Sequence, residues 1–286
     1  MLVSERFHGK VDVSYPFLDQ FNSVFVCAAI NGRHYYLDAT NKTIPPHITP
    51  VEILNTTGFV VNRKAGGLIE ISNDTAKYTE VIVADLSLGD DGLLGGKVKL
   101  ISYDYARIAK LREFRSDRND YLNRYFKIDG NVVPPESLDM GNMENDSLPL
   151  LQTAKVSTTL TATGDYLFMP LNLFTGFDVN PFINEHRFSN INFGYGRVIN
   201  MTINLQLPPG YIADDLPKSI RITTPEKEIT FTRRITHNKE TNKVSCGFIL
   251  DFKRSLYEQD MYPTIREMYQ QIFRYLAEPL VLKKKA

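Results

Sequence analysis

The chain has 286 residues, of which 43% are hydrophobic, and its 33 basic and 33 acidic residues give a formal net charge of zero. This size and composition are ordinary for a globular protein with one large domain or two, so disorder is excluded as a default. The balanced charge argues against a general electrostatic grip on nucleic acid or on an anionic membrane, and we expect neither as a partner.

The N-terminal residues, MLVSERFHGKV, contain neither the apolar core nor the small-residue cleavage site of a signal peptide. The chain itself therefore carries no targeting signal, which fits a cytoplasmic protein or a fragment whose leader lies upstream. No apolar stretch approaches the ~20 residues that cross a bilayer, so no membrane span is predicted. Cys27 and Cys246 lie in apolar, strand-like runs, and we interpret them as buried free thiols.

Short strands and turns are predicted for residues 1–75. Residues 24–30 and 35–37 form a predicted hairpin around Asn31-Gly32, the strongest short-range hairpin signal available. Two more short strands are predicted over 58–62 and 68–72. A Pro-rich loop over residues 44–50 separates them from the hairpin.

From Tyr78 onward the pattern is mainly β, interrupted by two helices. Apolar spacing predicts a helix over 104–126, which residues 116–119 break or cap, and a second, amphipathic helix over 260–277 that ends before Pro279. Residues 129–149 are rich in Pro, Gly, Asn and acidic residues and are predicted as a loop. The predicted strands in this part cover residues 79–87, 94–103, 151–161, 165–170, 198–207, 219–224, 228–238 and 243–252.

Three runs of residues carry a resemblance to a known family. The first contains Val3-Ser4, Arg6, His8, Gly9, Tyr15-Pro16 and Gln20-Phe21-Asn22, and the second contains Leu37-Asp38-Ala39-Thr40, Pro50 and Leu54-Asn55. The third contains Asn180-Pro181-Phe182, Arg187, Ile191, Phe193-Gly194-Tyr195, Leu207-Pro208-Pro209-Gly210-Tyr211 and Leu216-Pro217. Together they resemble the C-terminal part of Bacteroidetes-type transglutaminase-like proteins.

The resemblance implies a mainly β (α+β) fold. Residues 1–75 would be the remnant of a transglutaminase-like core, and residues 76–286 an antiparallel β-sandwich region with the two helices. Within that region, residues 176–286 match the C-terminal β domain of the family, a domain of unknown function.

The resemblance also locates a catalytic triad that is incomplete in this chain. In such enzymes a Cys thiolate attacks an amide, a His transfers the proton, and an Asp orients the imidazole. The Asp corresponds to Asp38, and the usual His position, about 15 residues earlier, falls on Ser23. A serine cannot shuttle a proton at neutral pH, and no Cys precedes it. We therefore expect no catalytic residues, only a triad remnant at Asp38 and Ser23.

Other residues do not restore the triad. Cys27 is expected on the same strand face as Ser23, and His34 on the same face as Asp38, but each at roughly 13 Å along the strand. That separation is too long for a hydrogen bond. Asp38 also has a structural interpretation, because an Asp two residues before a Thr caps a turn.

No cofactor or metal site is predicted. The five His residues are scattered, and the glycines near residue 90 lack the Lys-Ser/Thr of a phosphate loop. Glu185-His186-Arg187 is either a polar binding loop or a salt-bridged one.

The favoured hypothesis is a non-catalytic interaction or scaffolding module of a bacterial cell-envelope protein, with the upstream half of the same protein as a partner. It implies a periplasmic or cell-envelope location and a signal peptide upstream. One alternative is a fragment of an active transglutaminase-like or cysteine-peptidase-like enzyme whose nucleophile lies upstream. A second alternative is a carbohydrate-binding β module, which the absence of Trp disfavours.

Overall fold

The computed structural model describes residues 1–15, 17–63, 66–72, 75–128 and 130–285. Strands hold 43% of the chain and helices 16%, so the predicted mainly β (α+β) fold is confirmed. Pro16, which belongs to the first family-like run, lies outside the described residues.

The strands are numbered in chain order. They are β1 (Leu2–Val3), β2 (Ser23–Val24), β3 (Val26–Ile30), β4 (Arg33–Leu37), β5 (Thr56–Val60), β6 (Gly67–Ile71), β7 (Tyr78–Leu88), β8 (Leu93–Tyr103), β9 (Lys127–Ile128), β10 (Asn131–Val132), β11 (Ser137–Gly141), β12 (Leu150–Thr159), β13 (Thr161–Thr163), β14 (Tyr166–Met169), β15 (Ile191–Asn192), β16 (Arg197–Gln206), β17 (Tyr211–Asp215), β18 (Ile220–Thr223), β19 (Ile229–Asn238), β20 (Lys243–Phe252), β21 (Leu256–Tyr257) and β22 (Leu280–Lys284). The α-helices within the described residues are α1 (Asp104–Ser116), α2 (Arg118–Tyr125) and α3 (Tyr262–Leu276).

A large sheet carries most of the core. Its strand order is β11-β12-β8-β7-β16-β20-β19-β18, and every neighbouring pair is antiparallel except β7 and β16. That parallel ladder runs from Tyr78 opposite Arg197 to Ser87 opposite Gln206. A parallel pair requires a crossover between its strands, and the chain from α1 to β15 provides it.

A second sheet, β13-β14-β22-β17, contributes to the same hydrophobic core. Leu167 of β14 lies opposite Leu282 of β22, and both side chains are buried. Helix α3 adds a buried stripe that includes Ile265, Met268 and Ile272. The two sheets and α3 thus enclose one continuous apolar interior.

The helix predicted over residues 104–126 is two helices in the structure. Asp117 has an extended backbone (φ −152°) and ends α1. Its carboxylate accepts hydrogen bonds from the backbone N–H groups of Asn119 (2.7 Å) and Asp120 (3.0 Å), so it caps the N-terminus of α2. An N-cap residue must leave the helical conformation, and this breaks the longer helix.

The N-terminal block, residues 1–72, contains only short strands. Strands β2-β1-β5-β6 form one small sheet, and β3 and β4 form a separate hairpin. Asn31 (φ 51°) and Gly32 (φ 75°) make the hairpin turn, as predicted from this pair of residues. The strand predicted over residues 24–30 is interrupted at Phe25, whose side chain turns into a small core.

Candidate functional site

The two triad-remnant positions are occupied by local hydrogen bonds. Ser23 lies in β2, opposite Val3, and its hydroxyl donates to the carboxylate of Glu5. Asp38 follows β4, and its carboxylate accepts from the backbone N–H (2.9 Å) and the hydroxyl (2.6 Å) of Thr40. This is the turn-capping arrangement expected of an Asp two residues before a Thr. Each side chain therefore stabilises its own turn or strand end.

The remaining nucleophile and base candidates are dispersed. The break at Phe25 places Ser23 and Cys27 in different sheets, so the expectation that they share a strand face is wrong. Cys27 lies opposite Tyr36, and His34 lies opposite Ala29, on the hairpin. Phe25 causes the break because its ring is buried with Val3 and Ile53, which requires the chain to leave the hairpin plane.

Residues of the first and third family-like runs meet in space instead. The Arg6 guanidinium donates to the carbonyl of Asn192 (2.7 Å) and to that of Val51 (3.4 Å). Burial lowers the pKa of Arg6 from its usual value, and nearby Glu52 partly opposes that shift. Arg6 thus crosses from the N-terminal block to the chain just before β16. We call this contact region, which includes Arg6, Asn55, Asn192 and Gly194, the seam.

Asn55, from the second family-like run, completes the seam. Its backbone is left-handed (φ 58°), and its side-chain amide donates to the Asn192 side-chain oxygen (3.1 Å) and to the Gly194 carbonyl (3.3 Å). The same Asn192 oxygen accepts the Gly194 N–H (2.9 Å). Gly194 has φ 86°, and a Cβ there would lie 2.2 Å from an Arg6 guanidinium nitrogen. The positive φ favours glycine here, and a larger residue would displace the Arg6 guanidinium from the seam.

Aromatic stacking extends the seam toward α1. The Tyr195 ring stacks on Tyr105 at 4.7 Å and on Tyr78 at 5.8 Å. The Tyr105 hydroxyl donates to the carbonyl of Thr49 (2.8 Å), and Leu54 lies in the same apolar cluster. The N-terminal block is therefore held by polar contacts and by apolar packing of Ile48 and Leu54 against Tyr78 and Tyr105.

A buried ion pair lies inside the large sheet region. Glu80 of β7 and Lys110 of α1 are fully buried, with Oε1 and Nζ 2.6 Å apart. Burial raises the pKa of Glu80 and lowers the pKa of Lys110, and the mutual attraction opposes both shifts. The Lys110 ammonium also lies 3.3 Å from the centre of the Tyr125 ring. Since neither charge reaches the surface, this pair fits a structural role.

Arg187 does not form the salt bridge that was one interpretation of Glu185-His186-Arg187. Its guanidinium donates to the carbonyls of Ser189 (3.0 Å) and Asn190 (3.4 Å), and it forms no ion pair within the described part of the chain. It lines a groove of about 630 Å³ at the seam together with Arg6 and Asn55. It is therefore a positioned cation without an acidic partner.

The described residues contain neither a cluster of metal ligands nor a membrane-spanning helix. No group of three or more His, Cys, Asp or Glu side chains among them is placed to hold a metal ion. None of the described helices combines the length and apolarity that crossing a membrane requires.

One family model matches part of the chain. Residues 165–282 match DUF3858, a domain of unknown function with a solved structure. The matched segment runs from the start of β14 into β22, so it supplies four strands of the large sheet and α3. No curated protein matches the chain significantly.

A solved structure resembles the chain over most of its length. It is a crystal structure of a candidate protease from Parabacteroides distasonis, with 14% sequence identity and a TM-score of 0.44 over 93% of this chain. The chain spans 36% of the length of that protein.

Neither the seam nor the buried ion pair was predicted from the sequence. Arg6 and Asn192 are 186 positions apart, and no local pattern connects them. For Glu80 a signal existed, because it occupies the buried phase of β7 together with Tyr78 and Ile82. A charge in the buried phase of a strand requires a buried partner.

Proposed function

We propose that this chain is a non-catalytic interaction or scaffolding module of a transglutaminase-like protein of the cell envelope. The observation that carries the proposal is the local engagement of both triad-remnant side chains, Ser23 with Glu5 and Asp38 with Thr40. In a working triad the His side chain must be free to transfer the proton and the Asp carboxylate must be free to orient its imidazole. A serine hydroxyl bound to a carboxylate, and a carboxylate that caps a turn, do not meet that condition.

The seam supports the structural half of this proposal. Residues that carry the family resemblance, Arg6, Asn55 and Gly194, hold the N-terminal block against the chain before β16. In the proposed role, these residues keep two parts of a larger protein in a fixed orientation. Their chemistry is that of an interdomain contact, with charge-assisted hydrogen bonds to backbone carbonyls.

The hairpin offers a surface for the proposed partner. Val26 and Ile30 are on the same face of β3. Val26 is 63% exposed and Ile30 is 54% exposed. Leu37 lies opposite Val26 on that face. A two-stranded hairpin is marginal in water, and an exposed apolar face favours a contact with another element. We assign this face to the upstream half of the same protein.

Activity assays test the non-catalytic part. The purified chain is incubated with a glutamine-donor peptide and a fluorescent amine, and separately with peptide substrates. We expect no turnover. Turnover that is lost in both Cys27→Ala and Asp38→Ala variants would contradict the proposal, and the matched variant Ser14→Ala controls for nonspecific effects of mutation.

The scaffolding part requires a binding experiment. The reading frame ahead of Met1 is expressed as a separate chain, and its association with this chain is measured by analytical ultracentrifugation. We expect a 1:1 complex that Val26→Asp weakens and that the exposed Lys239→Asp leaves intact. An upstream segment with a Cys and a His that restore amide cleavage in the complex would favour the enzyme alternative instead.

A further inference from the structure

A second cavity lies away from the triad remnant, in the region between α2, the loop before β15 and α3. Its volume is about 630 Å³, which is within the range of small-molecule sites. Four cationic residues and one acidic residue line it, and its apolar wall is aromatic. The charged residues are Arg124, Lys127, Arg187, Arg197 and Asp178.

Three of these cations have no ion-pair partner. Lys127 and Arg197, like Arg187, form no ion pair among the described residues. The Arg197 guanidinium is 4.8 Å from the centre of the Tyr78 ring, and it hydrogen-bonds the Tyr195 side chain. An aromatic face attracts a cation only weakly compared with a carboxylate. A partly buried guanidinium in this position is poised to accept an anion.

Asp178 supplies one negative charge, which does not balance the cationic residues of the cavity wall. Burial raises its pKa from the usual value, and the attraction of Lys127 only partly opposes the shift. Arg124 is already paired with Glu113 at 3.0 Å, outside the cavity lining. The unpaired positive charge in the cavity therefore comes from Lys127, Arg187 and Arg197.

The walls of the cavity are held in place by hydrogen bonds. The side-chain amide of Asn172 donates to the Phe177 carbonyl (2.9 Å), and the Tyr262 hydroxyl donates to the Asn184 carbonyl (2.7 Å). The Gln259 side chain donates to the Arg187 carbonyl (2.8 Å). A loop fixed at several points loses little entropy when a ligand binds.

The cations of the cavity would bind an anionic group, and the aromatic side chains beside them indicate what the uncharged part of a ligand would be. The Phe182 ring lies edge-on to Tyr269 at 4.6 Å, and Phe177 is 5.9 Å from the same tyrosine. Phe177, Phe182 and Tyr269 are 7%, 4% and 2% exposed, so they present ring edges to the cavity beside the cations. Ring edges carry partial positive charge and pack edge-to-face against a flat or ring-shaped group.

We propose that this cavity binds a small organic carboxylate attached to a ring-sized body. Arg187 has its Nε and Nη2 groups bonded to the Ser189 and Asn190 carbonyls, so its Nη1 group and the Arg197 guanidinium supply the N–H donors for the carboxylate, and Lys127 adds charge. A single negative charge is favoured over a phosphate dianion because Asp178 shares the wall. The proposal goes beyond the scaffolding role, since it concerns a ligand site that involves neither the triad remnant nor the hairpin face.

Acidic sugars and aromatic acids both combine a carboxylate with a ring, and titration with one compound of each class shows which class binds. Glucuronate represents an acidic sugar and hippurate an aromatic acid; glucose and hippuramide are their uncharged partners. Binding to the whole chain is followed by protein-observed NMR. We expect one anion to bind with a dissociation constant of about 1 mM or below, and its uncharged partner to bind at least about tenfold more weakly.

Variants locate the binding at this cavity. Lys127→Gln and Arg187→Gln each remove one cation, and each should weaken the anion about tenfold. The matched control is Lys239→Gln, in the turn between β19 and β20, which should bind like the parent chain. Dispersed NMR spectra and unchanged thermal midpoints establish that the variants fold.

Three outcomes would overturn the proposal. They are no binding of either anion below about 10 mM, equal binding of charged and uncharged partners, and unchanged affinity in folded Lys127→Gln and Arg187→Gln. None of these results bears on the non-catalytic proposal, because the activity assays do not involve this cavity.

Discussion

The N-terminal block (residues 1–72) and the sheet region (the described residues from 75 onward, with the two larger sheets and α3) differ in the length of their strands and the size of their cores. Strands β7 and β8 have 11 residues each, and the sheets with α3 share one large hydrophobic core. In the block, the strands have at most five residues, and the core contains Val3, Phe25, Tyr36, Ile53 and Ile71. So small a core contributes little free energy against the entropy of ordering about 70 residues. The block therefore depends on its contacts with the sheet region.

The contacts of the two regions also differ in kind. The sheet region is stabilised by apolar burial and by one fully buried ion pair, Glu80 with Lys110. The block is held by side chains that bond backbone carbonyls across the seam, with Arg6 and Asn55 as the donors. Variants in the first group should destabilise the whole protein, whereas variants in the second should release the block and leave the sheets folded.

Breaking the buried ion pair should have the largest effect. Lys110→Met leaves the Glu80 carboxylate buried without its partner, which should lower the free energy of unfolding by about 3–5 kcal/mol. Chemical denaturation measures this loss. The double variant Glu80→Gln/Lys110→Met should recover part of it, because no buried charge remains.

A surface pair provides the matched control for that prediction. Lys155 and Glu136 are 2.8 Å apart, with side chains 66% and 47% exposed. Lys155→Met should cost about 1 kcal/mol or less, because water screens an exposed pair. Equal costs for Lys110→Met and Lys155→Met would show that the buried pair does not support the sheet region.

Gly194→Ala should separate the two regions. The added Cβ would meet the Arg6 guanidinium and would also occupy a left-handed backbone position, with an expected cost of about 2–3 kcal/mol at the seam. Hydrogen exchange followed by mass spectrometry should show lost protection in β1 and β5 and retained protection in β7 and β16. Gly92→Ala has a similar positive φ (80°), and its added Cβ would meet nothing closer than Leu167 at 3.9 Å, so it isolates the clash. Identical exchange in both variants would argue against the seam.

Asn55 tests the hydrogen bonds of the seam without a clash. Asn55→Gly keeps the left-handed conformation (φ 58°) and removes the amide that bonds Asn192 and Gly194. We expect a loss of about 1–2 kcal/mol in the local stability of the block, measured by exchange protection. Asn55→Ala should cost about 1 kcal/mol more, because alanine resists a positive φ. If the glycine variant retained full protection, the amide would not contribute to docking.

Sequence patterns predicted the parts of the fold that local residues determine. Asn31-Gly32 specified its hairpin, and the alternating pattern of residues 243–252 gave the bounds of β20. Three five-residue strands, β11, β17 and β22, were not predicted. Strand β22 pairs with β14 and β17, far along the chain, whereas β11 pairs with the next strand, β12, from within a segment predicted as a loop. Their pairing depends on tertiary contacts more than on propensity.

The candidate site was less predictable than the fold. Asp38 and Ser23 could be named from the family-like runs, but their hydrogen-bond partners required coordinates. The expected alignment of Ser23 with Cys27 failed because burial of the Phe25 ring bends the strand. The cations of the second cavity come from distant positions, such as Lys127 and Arg197, that only the fold brings together.

Chemical labelling of the two cysteines compares the block with the sheet region, and it disturbs the structure least. Cys246 is 2% exposed in the sheet region, and burial raises the pKa of its thiol to about 12, which nearby Arg233 only partly opposes. Cys27, in the block, is half-buried. Because the thiolate is the reactive form, a thiol reagent at pH 8 should label Cys27 first and Cys246 only after unfolding. Mass spectrometry of the labelled peptides distinguishes the two sites.

The same shift predicts a pH dependence of stability. The folded pKa of Cys246 lies above its unfolded value of about 9, so the folded state holds the proton more tightly. Its contribution is fully present below pH 9 and is lost as the pH rises toward 12, with a slope of at most about 1.4 kcal/mol per pH unit. Cys246→Ala should remove this slope, and Cys27→Ala should keep it.

Equally fast labelling of both thiols in the folded chain would mean that the sheet region opens as readily as the block, which contradicts the difference in core size.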